Sequence, residues 1–148
     1  MKTVLFVCTG NTCRSPLAEC LFAALLRERG LENQWRALSA GTYAMSGAPA
    51  SEGSLRAAAR RGLSLGNHRS QAVTRALLQQ VDLVIGMGES HIMQLRMMYP
   101  DCQTPMRSFD DPPISDPYGG TDADYERAAC DIQRQLPALL DKLCTPSI

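Results

Sequence analysis

Cys8 stands ahead of Arg14 with five residues between them, and Ser15-Pro16 follow at once. A thiol, a guanidinium and a hydroxyl at that spacing can perform nucleophilic chemistry on a bound anion. The intervening Thr9-Gly10-Asn11-Thr12-Cys13 can curl until successive backbone N–H groups point inward as an anion nest. Gly10 and Asn11 are the residue types that most readily adopt left-handed backbone angles. Arg14 offers a planar fork that fits two phosphoryl oxygens. Cys8 sits in the positive field so created, which favours its thiolate. Taken singly, Cys8 reads equally well as a buried thiol at a strand end and Arg14 as a surface charge. Their combination with a strand before and a helix after points to a phosphate site. The ATP-type pattern G-x-x-x-x-G-K-[ST] and the dinucleotide pattern G-x-G-x-x-G are both absent.

The flanking elements are legible. Val4-Leu5-Phe6-Val7 is a continuous apolar run, as expected of a strand buried on both faces of a parallel sheet. Pro16 to Arg29 carries Leu17, Cys20, Leu21, Ala24 and Leu25 at helical spacing, with Gly30 as a stop. Its positive end would face the same point as the nest. Further along, Arg36–Ala40 predicts a strand, 41–49 a Gly/Ser/Pro/Met loop, and Ser51–Arg61 a helix with Ser51 as N-cap and Gly62 beyond it. A short helix at Thr74–Gln80 precedes an apolar strand at Val81–Met87, a Met-rich helix at Ser90–Met98 and a strand near Thr104–Arg107. A Pro/Asp/Gly loop over 108–120 then leads to a long helix, Asp122–Leu143, with a bend expected at Pro137. The alternation β-α-β-α-α-β-α-β-α implies one α/β domain over residues 1–148, three layers deep, with about four mostly parallel strands.

Composition bounds the function. The 148 residues include 15 Lys+Arg and 15 Asp+Glu, so the formal net charge is zero. That balance argues against a general nucleic-acid binder, which needs a cationic excess. No stretch approaches the roughly 20 apolar residues that span a bilayer, and the run Thr3–Cys8 is too short for a signal-peptide core. The expectation is a cytoplasmic protein, monomeric or weakly dimeric, whose six cysteines (8, 13, 20, 102, 130 and 144) are reduced thiols. None forms a C-x-x-C pair, and His68 and His91 lie far from most of them in sequence, so no metal site is expected.

Val7-Cys8-Thr9-Gly10-Asn11-Thr12-Cys13-Arg14-Ser15-Pro16 resembles the signature loop of the low-molecular-weight protein tyrosine phosphatases. Ser39-Ala40-Gly41, His68 with Ser70, and Asp116-Pro117-Tyr118-Gly119 strengthen the resemblance, since these blocks occur in family order along a chain of family length. The resemblance implies the flavodoxin-like fold of that family and a phosphoprotein substrate. Cys8 would attack phosphorus to give a cysteinyl-phosphate, and Arg14 with the amides of Thr9 to Cys13 would hold the equatorial oxygens. Ser15 would hydrogen-bond the thiolate and help it leave. Asp116 would protonate the leaving group and then activate water. Asn11, Ser39 and His68 would fix the loop's shape, and no metal or organic cofactor is required. From the residues alone, Asp116 sits in what is also an ordinary turn, His68 also reads as a core histidine, and Asp111 is a rival acid on the same loop.

The leaving group stays open at this level. Tyrosine-directed members usually carry a bulky apolar residue where Thr12 stands, and a second aromatic where Gly119 stands. Thr12 and Gly119 resemble instead the subgroup of protein arginine phosphatases. A phenol ring favours apolar, aromatic walls. A guanidinium needs acceptors such as the Thr12 hydroxyl. Asp110, Asp111, Asp116, Asp122, Asp124 and Glu126 fall within seventeen residues without a base, and such a cluster attracts a cationic substrate and helps keep a carboxyl protonated. Those acids also suit a solvated loop and a helix N-terminus. The balance favours phosphoarginine, with phosphotyrosine as the alternative. Tyr118, with Tyr43 or Met45, would line the pocket mouth. A thiol-dependent arsenate reductase would need relay cysteines near the third strand, where Gly86 to Glu89 has none and Cys102 stands alone. A non-catalytic anion-binding module would be expected to lack Cys8, Arg14 or a late Asp. Cys13 beside Cys8 raises the idea of a reversible Cys8–Cys13 disulfide, against the plainer reading of a small buried hydrophobe.

Overall fold

The apolar run at the N-terminus forms β1 (Lys2–Cys8), buried at every position after Lys2. The structure, a computed structural model, describes residues 1–145. β1 pairs in parallel with β2 (Trp35–Gly41) on one side and β3 (Leu83–Gly86) on the other. β4 (Met106–Ser108) adds in parallel to β3, giving the sheet order β2-β1-β3-β4. β1 is therefore central and has helices on both of its faces, which is why it reads as an unbroken apolar run.

Five helices complete the layers: α1 (Arg14–Glu28), α2 (Glu52–Arg60), α3 (Arg75–Gln80), α4 (Glu89–Met98) and α5 (Asp122–Cys144). α1, α2 and α5 cover one face, where Phe6 of β1 meets Phe22 edge-on at 5.5 Å and stacks on Phe109 at 6.3 Å. α3 and α4 cover the other, around Leu5, Val7, Leu78, Val84 and Leu95. Each such side chain removed from water contributes on the order of 1.5–3 kcal/mol. The expected three-layer α/β architecture is thus present, with a four-stranded parallel sheet. Among the described residues no helix is long and apolar enough to cross a membrane.

Two local expectations need amendment. α1 starts at Arg14 rather than Pro16, because first-turn N–H groups have no helical partner and a proline there costs nothing. Ser51 precedes α2, but its hydroxyl bonds Ser54 Oγ at 3.1 Å and accepts from Cys13 Sγ instead of capping the backbone. The long final helix runs through Pro137 without interruption, as one element.

α2 is fastened to α5 by charge. Arg61 grips Glu126 with Nη1 on Oε1 at 2.7 Å and Nη2 on Oε2 at 3.0 Å, and Arg60 Nε adds a third bond at 2.7 Å. These bonds hold the Glu126 carboxyl down at about 2, against an ordinary value of 4.5. A depressed carboxyl stabilises the fold above its ordinary range and loses that contribution as pH falls from 4.5 towards about 2. Glu126 is substantially exposed, so solvent limits the pair to about 1 kcal/mol or less. Thermal unfolding of Glu126→Gln should match the wild type near pH 2, fall slightly below it at neutral pH, and show a flatter slope between. Parallel curves for the two proteins would mean that the pair contributes nothing.

Candidate active site

Cys8 ends β1 and Arg14 begins α1, so the loop between them joins a buried strand to a helix N-terminus. The turn depends on Asn11, the one non-glycine residue with positive φ (57°) among those described. Its side chain is fully buried and every polar atom is engaged. Nδ2 donates to Ser15 Oγ at 2.8 Å and to Ser39 Oγ at 2.9 Å, and Oδ1 accepts from the Gln71 N–H at 2.9 Å. Its carbonyl receives His68 Nε2 at 2.7 Å. The Ser15 Oγ that accepts from Asn11 also lies 2.9 Å from Cys8 Sγ, within hydrogen-bonding distance of the thiol.

Arg14 is 7% exposed, with Nη1 donating to the Ile114 carbonyl at 2.9 Å and Nη2 lying 3.8 Å from Asp116 Oδ2. Its Nε is buried without an acceptor. An unpaired buried donor costs about 1–3 kcal/mol, a penalty that a bound oxyanion would remove. Asp116 is half exposed, and its Oδ1 accepts the Tyr118 N–H at 3.1 Å. Cys8, Thr9, Gly10, Thr12, Cys13, Arg14, Asp116 and Tyr118 together line a cleft of about 220 Å³.

The structure brings together the loop, Asp116 and Tyr118, and hydrogen bonds join Asn11 of the loop to Ser39 and His68. Asp111 goes elsewhere: its N–H bonds Gln135 and its carbonyl receives Arg134, on the α5 side. It does not line the cleft. Tyr43 and Met45 are 87% and 82% exposed; the Tyr43 N–H bonds the Thr9 carbonyl at 3.0 Å, yet neither side chain lines the cleft. Cys102 packs with the core under α3 and α4, away from the loop. All six cysteines are free thiols. Cys13 Sγ is engaged with Ser51 Oγ at 3.3 Å and Tyr125 Oη at 3.5 Å.

Three residues around the loop, Glu19, Gln71 and His91, had no part in it in the sequence reading, and Gly41, already in a motif block, gains a physical reason. Glu19 accepts from Ser39 Oγ at 2.6 Å, extending the Asn11 network into α1. Burial pushes its carboxyl up, while the Ser39 hydroxyl and His68 pull it down. Gln71 supports both Asn11 and the Ser39 carbonyl. Gly41 is required by close approach, since a Cβ there would collide with the Thr9 carbonyl. His91 reaches Thr9 Oγ1 at 3.1 Å. Glu19 and Gln71 were signalled only weakly, by lying within a few residues of Ser15 and Ser70.

Comparison with known proteins gives a consistent result. A family model described as low molecular weight phosphotyrosine protein phosphatase matches residues 3–146. The chain is 34% identical over 153 residues to the low molecular weight phosphotyrosine protein phosphatase of Gallus gallus, covering 96% of each chain. It is 31% identical over 146 residues to the protein-arginine-phosphatase of Bacillus subtilis, covering 95% of each. Among solved structures, the low molecular weight protein tyrosine phosphatase from T. tengcongensis superposes with a TM-score of 0.89 at 33% identity, covering 96% of this chain and 99% of that one.

The network around Asn11 generates a direct expectation. Asn11→Ala would remove one hydrogen bond from each of Ser15 Oγ, Ser39 Oγ and the Gln71 N–H, and would put a residue without a compensating side chain at positive φ. The left-handed angle costs about 1–2 kcal/mol and each lost hydrogen bond about 0.5–1.5. Thermal unfolding should therefore show a loss of several kcal/mol, and affinity for inorganic phosphate should fall with it. A stable variant with unchanged phosphate affinity would mean that the loop holds its shape without Asn11.

Proposed function

The chain belongs to the low molecular weight phosphotyrosine protein phosphatase family, and from that premise we propose that it hydrolyses phosphoarginine in proteins, with Cys8, Arg14 and Asp116 as the catalytic residues. The observation that carries the substrate reading is the cleft wall. Thr12 and Asp116 offer oxygen acceptors, and Tyr118 is the single aromatic residue lining the space. A guanidinium N–H needs such acceptors, whereas a phenol ring would be served better by apolar walls.

In the first step Cys8 Sγ bonds to phosphorus as the P–N bond breaks. Asp116 delivers its proton to the departing nitrogen, which takes the P–N electron pair and leaves as the arginine guanidinium, the phosphoryl group staying on Cys8. Arg14 supplies Nε and Nη donors to the equatorial oxygens, and the inward N–H groups of residues 9–13 supply the rest. Ser15 Oγ, 2.9 Å from Cys8 Sγ, keeps the thiolate a good leaving group for the second step. There Asp116 takes a proton from water, the new O–P bond forms, the S–P bond breaks, and inorganic phosphate departs. Thr12 and Tyr118 bind the substrate's arginine end, while Asn11, Ser39 and His68 hold the loop.

The phosphotyrosine reading has its own support, because the Gallus gallus relative is named for that substrate. Gly119 does not discriminate. Its φ of 75° is a left-handed turn angle, with the Gly120 N–H bonded back to the Pro117 carbonyl, so the turn itself favours glycine there.

Initial rates on matched phosphoarginine and phosphotyrosine peptides separate the two. A preference for phosphoarginine of about tenfold or more, worth roughly 1.4 kcal/mol of barrier, is expected. Thr12→Ile should shift the ratio towards phosphotyrosine. Cys8→Ser should abolish turnover of both, and Asp116→Asn should slow it by about a hundredfold or more. A reversed preference in the wild type would assign the chain to tyrosine, and full activity of Cys8→Ser would remove the mechanism.

A further inference from the structure

His91 is 4% exposed and sits at the start of α4, after β3, on the opposite side of the cleft from α1. Both of its ring nitrogens are committed. The Gly88 N–H, at the N-terminus of α4, points at Nδ1 from 3.2 Å. A backbone N–H can only donate, so Nδ1 is bare and the proton of the neutral ring is on Nε2. That proton is then given to Thr9 Oγ1, 3.1 Å away. Thr9 follows the nucleophile directly and lines the cleft. Since its oxygen accepts from His91, its own hydroxyl proton is left to point into the cleft, where a phosphoryl oxygen would take it.

We propose that His91 is a positioning residue for the phosphatase reaction: through its Nε2–H bond to Thr9 Oγ1 it turns the Thr9 hydroxyl into a donor for the transferring phosphoryl group and ties the loop to α4. The inference rests on the phosphatase reading above and adds a residue to it from across the sheet. The charges that bear on His91 are Arg14 of α1 and Asp116 of the late loop. Burial first and the Arg14 charge second hold the imidazole below the ordinary histidine range, with the Gly88 backbone and Asp116 pulling the other way. The ring is therefore neutral at physiological pH, in the form that the two hydrogen bonds require. Protonation would place an N–H on Nδ1 against the Gly88 N–H and break that contact.

Two amide side chains divide the imidazole's roles. Glutamine can place its amide nitrogen where Nε2 stands and so keep the Thr9 bond. Asparagine can place its oxygen where Nδ1 stands and so keep only the Gly88 bond. We expect His91→Gln to retain kcat within about threefold, and His91→Asn, His91→Phe and Thr9→Val each to lose about tenfold. Combining His91→Phe with Thr9→Val should cost no more than either alone, because both remove one interaction. The kcat profile of the wild type should carry one acid-side ionisation below about pH 6.5 that is missing from His91→Gln. Side-chain nitrogen NMR of the wild type, with His68→Gln to assign the two rings, should show a bare Nδ1 and a protonated Nε2.

A different pattern overturns the proposal. If His91 only caps α4, His91→Asn would rescue, His91→Gln would not, and Thr9→Val would be silent. Additive losses in the double variant, or a ring protonated at Nδ1, would overturn it as well. Thermal unfolding of each variant identifies one that fails to fold, and the Thr9→Val arm stands without touching α4. Were the wild type to hydrolyse neither peptide, the phosphatase reading would fall first. Inorganic phosphate binding would then decide for His91: loss in His91→Phe but not in His91→Gln would uphold its part, and equal binding would end it.

Discussion

The left-handed turn at Asn11 is the constraint on which the rest of the site depends. With φ at 57°, the chain takes a left-handed turn between Cys8 and Arg14, the kind of turn from which an anion nest can be built. An L-residue there costs about 1–2 kcal/mol, and asparagine offsets it by bonding locally. Here the compensation is long-range: Ser15, Ser39 and Gln71 come from three separate segments, and each meets a different atom of one amide. The same amide holds Ser15 Oγ, which lies 2.9 Å from Cys8 Sγ. The shape of the loop and the surroundings of Cys8 thus depend on one side chain.

The sheet order explains why such a loop can be served from so many directions. In β2-β1-β3-β4 the chain leaves β1 for one neighbour and later returns to the other, so the ends of β1 and β3 diverge beneath helices on opposite faces. A crevice at that switch point is where α/β sheets bind ligands. Ser39 and Gly41 reach the loop from β2, and the Gly41 backbone fits only because no Cβ intervenes. His91 reaches it from beyond β3. Arg14 is braced from the late loop by the Ile114 carbonyl, which leaves Nε as the buried donor without a protein acceptor. A preorganised donor of that kind is useful in catalysis because no reorganisation is needed when charge develops.

Much of this was legible in the amino-acid sequence, and the exceptions have physical reasons. The strands β1 and β3, the helices and the signature loop announce themselves through apolar runs and local spacing, both short-range properties. Asn11, Ser39 and His68 were identified through motif resemblance. Glu19 was not, because a glutamate on an amphipathic helix looks solvent-facing until the sheet buries it against Ser39. His91 was noted only as remote from the cysteines; its partner Thr9 lies 82 residues away, and no periodicity encodes such a contact. The rival acids Asp111 and Asp116 are equivalent in local turn chemistry, and only the path of the loop over α5 separates them.

Substrate choice is where the geometry constrains most economically. In the proposed mechanism the loop amides, Arg14 and Cys8 address the phosphoryl group alone and are indifferent to what carries it. Discrimination must therefore come from atoms that meet the leaving group: Thr12, Asp116 and Tyr118. Gly119 is accounted for by its turn angle, which removes it from that set. Thr12 has no such excuse. Its backbone carbonyl is held by the Ser51 N–H at 2.9 Å, which fixes the residue but leaves the side chain free in identity. Its hydroxyl lies half-buried on the cleft wall, with the Cys13 thiol at 3.8 Å as a weak neighbour. An apolar side chain would satisfy the fold there at no evident cost. A hydroxyl at that point is the feature on which the proposed phosphoarginine substrate, with protons to give, rests.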